Sequence, residues 1–365
     1  MNLSYWEKNS ILNGVDVLIV GGGIVGLCSA IMAKKRFPNQ RIVLLEKHPF
    51  AAGASTKNAG FACFGSIGEL IEHEKLVGEK AMKKLIQERW EGLQLLFSLI
   101  DESSIELEHL GGFEVFDSEE SLDNSLSKLD YYNHLVEDIV GANCFEKQDS
   151  TRYSFNNVSG VIRNKYESQL HSGKLFLELK GKCAELGVEI FNGVTVLNVE
   201  ENMAETDVGV FNFNKALLCT NAFAPKLAPS INLKPGRGQI LITKAIPNLQ
   251  LKGSFHYDKG YFYFRNIHNR VLLGGGRNEF ETNEQSTNLV TTSEVQDRLE
   301  VLLQTVILPN TKFEIESRWS GVMAFNKSGL PILEELDTNV FFAGCSNGMG
   351  VALGAKLAKK AVERL

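Results

Sequence analysis

The chain has 365 residues, 44% of them hydrophobic, with 38 Lys and Arg against 44 Asp and Glu for a net charge of -6. That length and apolar share bury a large core and suit two domains or one large α/β unit. The acidic balance, with no block of five or more Lys or Arg, argues against nucleic acid as the main partner.

Six cysteines, at 28, 63, 144, 183, 219 and 345, lie far apart with no C-x-x-C and no Cys/His cluster at zinc spacing. They predict buried free thiols, no metal and a reducing cytoplasm. The polar N-terminus and the short apolar run after it fit neither a signal peptide nor a membrane span.

The first readable unit is "DVLIVGGGIVGLCSA" (16–30). A strand over 16–20 meets Gly21-Gly22-Gly23, a helix runs over 24–36, and a Pro38-Asn39 break leads to a strand over 41–47. The crossover length suits one helix, so the two strands form a parallel βαβ unit. Helical periodicity returns over 84–102 and 125–139. A helix ending at Gly187 precedes strands over 188–191 and from Val194, and "KALLCTNAF" reads as strand into turn. From Lys234 to Glu316, apolar runs between Gly and Asn turns read as antiparallel sheet. "NVFFAGCSNGMGVALGAKLAKK" closes the chain as strand, glycine loop and helix.

Gly21 to Gly26 fits G-x-G-x-x-G. Its three glycines allow a tight turn, close approach of a diphosphate and packing of helix on strand, while Ile24 and Val25 open a helix whose free N–H groups favour the phosphates. Glu46 stands 20 residues beyond Gly26 at the end of the second strand, where an acid accepts ribose hydroxyls. Lys47 follows it. The acid favours FAD or NAD over NADP.

"AAGASTKNAGFACFGS" (51–66) then crowds small residues beside donors at Ser55, Thr56, Lys57 and Asn58, followed by Ala59 and Gly60. Its G-A-S-x-x-N-x-G resembles the second flavin-contacting segment of the D-amino-acid oxidase, glycine oxidase and sarcosine oxidase superfamily. Further pieces resemble that superfamily in the same order: the helix and strands around Val196, "LLCTNAF" with Thr220 and Asn221, "KPGRGQILIT", the W-x-G segment with Gly321, and the closing loop with Asn347, Gly348, Met349 and Gly350. The branch typified by γ-glutamylputrescine oxidase is the most similar.

The resemblance implies an α/β fold in which a Rossmann-like FAD-binding domain (14–80, 156–232, 317–365) interleaves with an antiparallel-sheet α+β substrate domain (81–155, 233–316). It implies non-covalent FAD, because the flavin-linking cysteine of sarcosine oxidases is missing near W-x-G and Cys345 falls in a later loop. The implied reaction oxidises a C–N bond of a small amine or amino acid derivative by hydride transfer to flavin N5. The imine then hydrolyses, and electrons pass to dioxygen or another acceptor. A D-amino-acid dehydrogenase feeding a quinone and a flavin-holding accessory module without turnover stay open.

Met323 occupies the place where amino-acid-oxidising members carry an Arg for the substrate carboxylate. A free α-amino acid therefore loses its anchor unless Arg265, Arg237 or Lys57 replaces it. Tyr257, Tyr261, Tyr263 and Phe264 are expected on the sheet facing the flavin, with Tyr257, Tyr263 and Met323 as the catalytic candidates. Trp319, His171 and His256 read as structural.

Overall fold

The computed structural model describes residues 2–365. Its first sheet runs in the order Ile332–Asp337, Val340–Gly344, Gly209–Leu218, Val15–Val20, Ile42–Glu46 and Glu189–Asn192. All neighbours are parallel except the edge strand Ile332–Asp337. The hairpin Val196–Glu200 and Met203–Thr206 adds to Gly209–Leu218. Val17, Leu18 and Ile19 are buried to 1% or less, as a central parallel strand covered on both faces requires. The helices Ile24–Arg36, Gly350–Val362 and Ser172–Glu185 supply one covering layer.

From Val15–Val20 the chain crosses first to Ile42–Glu46 on one side and later to Gly209–Leu218 on the other. The order reverses there, which opens a crevice at the carboxyl end of the first strand.

The second sheet runs Ile315–Phe325, Lys234–Thr243, Arg270–Gly275, Phe262–Ile267, Ser254–Tyr257, Gly112–Phe116, Gly160–Asn164 and Phe145–Gln148. Only Ser254–Tyr257 with Gly112–Phe116 is parallel among the described strands. Ser293–Leu302 and its π-helical extension Leu303–Ile307 close one face over a core of Phe255, Phe262, Phe264 and Val271.

Two strands sit outside the half expected of them. Gly160–Asn164 falls within 156–232 but pairs with Gly112–Phe116, and most of Ile315–Phe325 falls within 317–365 but pairs with Lys234–Thr243 along ten register positions. Both are short or Gly-containing segments whose sheet is decided by pairing rather than by their own pattern. The helix expected over 84–102 runs Glu79–Phe97. That expected over 125–139 is two, Glu119–Ser127 and Leu129–Val140, broken at Lys128. Among the described residues no helix is long and apolar enough to cross a membrane.

Candidate active site

The glycine turn is set by contacts that only hydrogen satisfies. Gly21 has φ +109°, and a Cβ there would meet the Cys219 carbonyl oxygen at 2.7 Å. A Cβ on Gly26 would lie 1.9 Å from the Gly21 carbonyl oxygen, so this residue lets the helix sit on the strand. The helix starts at Ile24, whose N–H donates to Ser55 Oγ at 2.9 Å. Glu46 is buried; its Oε2 accepts from the Gly22 N–H at 2.8 Å and its Oε1 from the His48 N–H at 3.0 Å.

These groups border a cavity of about 430 Å³ lined by Gly21–Val25, Glu46–His48, Ala51–Ser55, Asn58, Val194–Leu197, Cys219–Asn221, Val322–Ala324, Ser346–Gly348 and Gly350. The far wall is a loop held in an unusual backbone: Cys345, Asn347 and Gly348 all have positive φ, at 61°, 49° and 88°. The Cys345 N–H donates to Asn221 Oδ1 at 3.1 Å and the Asn326 N–H to Asn347 Oδ1 at 3.0 Å, tying the loop to both neighbouring segments. The helix Gly350–Val362 begins behind it, presenting its positive dipole end to the cavity.

Of the expected cofactor contacts, Gly21, Gly23, Ile24, Val25, Glu46, Lys47, Ser55, Asn58, Val196, Thr220, Asn221, Asn347, Gly348 and Gly350 border this cavity. Gly26, Thr56, Lys57, Ala59, Gly60, Gly321 and Met349 do not; several instead hold the wall in place. Asn58 donates to the Ala54 and Ser55 carbonyls and accepts from the Gly60 N–H and the Ser172 hydroxyl. Thr56 donates to the Ala51 carbonyl at 2.6 Å. The Lys57 carbonyl accepts from Trp319 Nε1 at 3.1 Å, and the Lys57 Cβ lies 2.6 Å from where a Gly321 Cβ would stand.

Met323 lines the cavity, whereas Tyr257 is turned away. Strand alternation puts Tyr257 on the opposite face from His256, packed edge-on to Phe262 with its hydroxyl donating to Asp117 at 3.1 Å. Phe264 is buried in the same opposite face, stacked on Phe255, and Tyr261 is exposed. Only Tyr263 of the four aromatics shares the face of Met323. Its ring fills the space above Gly274, and burial pushes its hydroxyl up to about 12 against the pull of the Arg277 charge.

His171 caps Ser172–Glu185, and His256 is buried against Glu167 at 2.8 Å. Arg237 is consumed by a buried two-pronged pair with Glu284, at 2.8 and 2.6 Å. Arg265 donates to the Gly60 and Leu170 carbonyls, and burial lowers it to about 10. Neither is free to replace the missing anchor. Sequence reasoning missed His48, Phe223, Lys226 and Leu289 in the cavity wall. Leu289 comes from the second-sheet half and carries no local signal. Phe223 closes the "LLCTNAF" turn and Lys226 follows it, so both could have been read from that turn.

A dinucleotide fits these residues. The backbone of Gly21, Gly22 and Gly23 borders the cavity without side chains, the Glu46 carboxylate stands at the strand end, and Thr220 Oγ1 is buried at the cavity without a hydrogen-bond partner. The chain belongs to the FAD dependent oxidoreductase family, whose model matches residues 16–364, and is thus an FAD-using oxidoreductase of the amine and amino-acid oxidase type.

Among curated relatives, the probable oxidoreductase OrdL of Haemophilus influenzae is 22% identical over 93% of this chain and 80% of its own. Gamma-glutamylputrescine oxidoreductase of Escherichia coli is 23% identical over 92% and 80%. Glycine oxidase from Bacillus cereus has the same fold, with a TM-score of 0.76 at 17% identity and 96% of each chain covered.

Proposed function

We propose that the enzyme oxidises a C–N bond of a small amine or amino acid derivative, and that the electrons pass to dioxygen or another acceptor. FAD, when bound, would supply a two-electron acceptor for hydride from the carbon beside a neutral amine nitrogen, and the imine left on the substrate would hydrolyse in water. Gly21–Ile24 and Glu46 would hold its diphosphate and ribose. Thr220, Asn221, Asn347 and Gly348 would hold the portion nearer Met323. Met323 and Val322 bring an apolar wall to that end, which excludes water and keeps the amine in its neutral, oxidisable form.

The observation that carries this reading is Met323 itself: the wall where a cation would pair an α-carboxylate is a thioether at the edge of the cavity. The relative from Escherichia coli, a gamma-glutamylputrescine oxidoreductase by name, supports an amine derivative over a free α-amino acid. Unpaired buried thiols at all six cysteines support a reducing compartment such as the cytoplasm, and the absence of cysteine near W-x-G supports non-covalent FAD.

Anaerobic mixing with a panel of amines, N-alkyl amino acids and amino acids tests the proposal. Bleaching of the 450 nm flavin band by an amine or derivative, with carbonyl product and released amine in equal amounts, is the expected result. Bleaching by hydroxy acids alone would overturn it. Slow recovery of colour in air after substrate bleaching would favour a dehydrogenase passing electrons to a quinone.

A further inference from the structure

One face of the second sheet carries Met323, which borders the cofactor cavity. Register places Phe325, Met323, Gly321 and Trp319 on that face, opposite Lys234, Gly236, Gly238 and Ile240, with Gly274 and Tyr263 alongside. The bare backbone of the glycines makes room above them, and four side chains converge there. A Cβ on Gly238 would meet Met323 Cε at 2.8 Å and Tyr263 Oη at 3.8 Å. A Cβ on Gly236 would meet the Phe325 ring at 2.4 Å and Arg277 Cδ at 3.4 Å.

Arg277 follows Arg270–Gly275 and lays its guanidinium over the Phe325 ring, Cζ standing 4.2 Å from the centroid. It is half-buried. Among the described residues it makes no ion pair and no side-chain hydrogen bond, and Tyr263 Oη has no hydrogen-bond partner either. This contrasts with Arg237 and Arg265, whose donors are spent on protein acceptors. A guanidinium held over an aromatic ring keeps its N–H donors free for a two-pronged acceptor.

We propose that the Arg277 guanidinium, with the Tyr263 hydroxyl on the same sheet face, is the carboxylate anchor for this enzyme's substrate, supplied from the turn after Arg270–Gly275 where Met323 offers no charge. This rests on the proposed C–N oxidation and narrows it: the amine carries a carboxylate, displaced from the place an α-amino acid's would take against Met323. An amine with its acid group further along the chain, or on the nitrogen substituent, has that form.

Titration of the FAD-loaded enzyme with the unreactive carboxylates acetate, propionate and glutarate tests this through perturbation of the visible flavin spectrum, without turnover. At least one should bind, and Arg277→Gln should weaken it about ten- to a hundredfold, the loss expected for a charge-assisted paired contact. Arg277→Lys should lose less, because it keeps charge without the fork. In anaerobic bleaching, Arg277→Gln should lower the preference for 4-aminobutanoate over butylamine by a similar factor.

Unchanged carboxylate affinity in Arg277→Gln, or no perturbation of wild type by any of the three, overturns the proposal. If Arg277→Gln does not hold FAD, Arg277→Lys together with Tyr263→Phe decides, and full affinity in both overturns it. Carboxylate binding through Arg277 in a protein that oxidises no C–N bond would retain this inference and reject the proposed reaction. C–N oxidation without carboxylate binding would do the reverse.

Discussion

Glu114 is 3% exposed, holds the Gly68 N–H at 2.7 Å at the start of the helix Ile67–Val77, and faces His256, Ser66 and Glu69. Burial pushes its carboxyl up to about 7, against the opposing pull of that N–H, His256 and Ser66. The unfolded chain ionises it near 4.5, so between these values the native state binds more protons and loses stability as pH rises. His256 adds to the same trend. Burial acts to lower it, but the charge and hydrogen bond of Glu167 prevail and hold it above its ordinary value. Its contribution is present below the unfolded pKa and lost as pH rises through the folded one. In urea unfolding, the stability of wild type relative to Glu114→Gln should fall by about 3 kcal/mol between pH 4.5 and 8. A pH-independent difference would contradict the assignment. Gly26 gives a second residue-scale test. Gly26→Val puts side-chain atoms against the Gly21 carbonyl, so it should cost about 1–3 kcal/mol and lower the FAD content of the purified protein.

The elements that position the site were legible to different degrees. The first strand, the helix Ile24–Arg36 and Glu46 could be read because the constraint is local: a diphosphate site needs permissive backbone and an acid at fixed spacing along one βαβ unit. Arg277, Leu289 and the destination of Gly160–Asn164 could not be read. Their meaning depends on which strands pair and in what register, and a one-residue change there moves every side chain to the other face. The same alternation separates Tyr263 from Tyr257, which look alike in the sequence. At this scale the buried Arg237–Glu284 pair, with Gln239 and Thr292, fastens the segment 284–292 that carries Leu289 to the cavity. Arg237→Ala leaves a fully buried carboxylate uncompensated. It should cost about 3–5 kcal/mol of stability and speed hydrogen exchange across 284–292, measured by mass spectrometry. Unchanged exchange there would show that the segment is held by other contacts.

Across the whole molecule, one parallel sheet supplies a dinucleotide crevice at its reversal of strand order, and one antiparallel-rich sheet brings Met323 to its wall, with Tyr263 on the same sheet face. The six thiols are all buried, and burial raises each above its ordinary value, Cys345 to about 11. The folded protein should therefore react slowly with a thiol reagent at neutral pH and present all six after denaturation. The crevice between Gly21 and Gly348 should hold a dissociable FAD. Heat-denaturing a weighed amount of the purified, flavin-saturated protein and chromatographing the supernatant tests it most directly. One FAD per chain released into solution is the result expected; flavin retained on the polypeptide, FMN in its place, or a protein that stays colourless after incubation with excess FAD would contradict it.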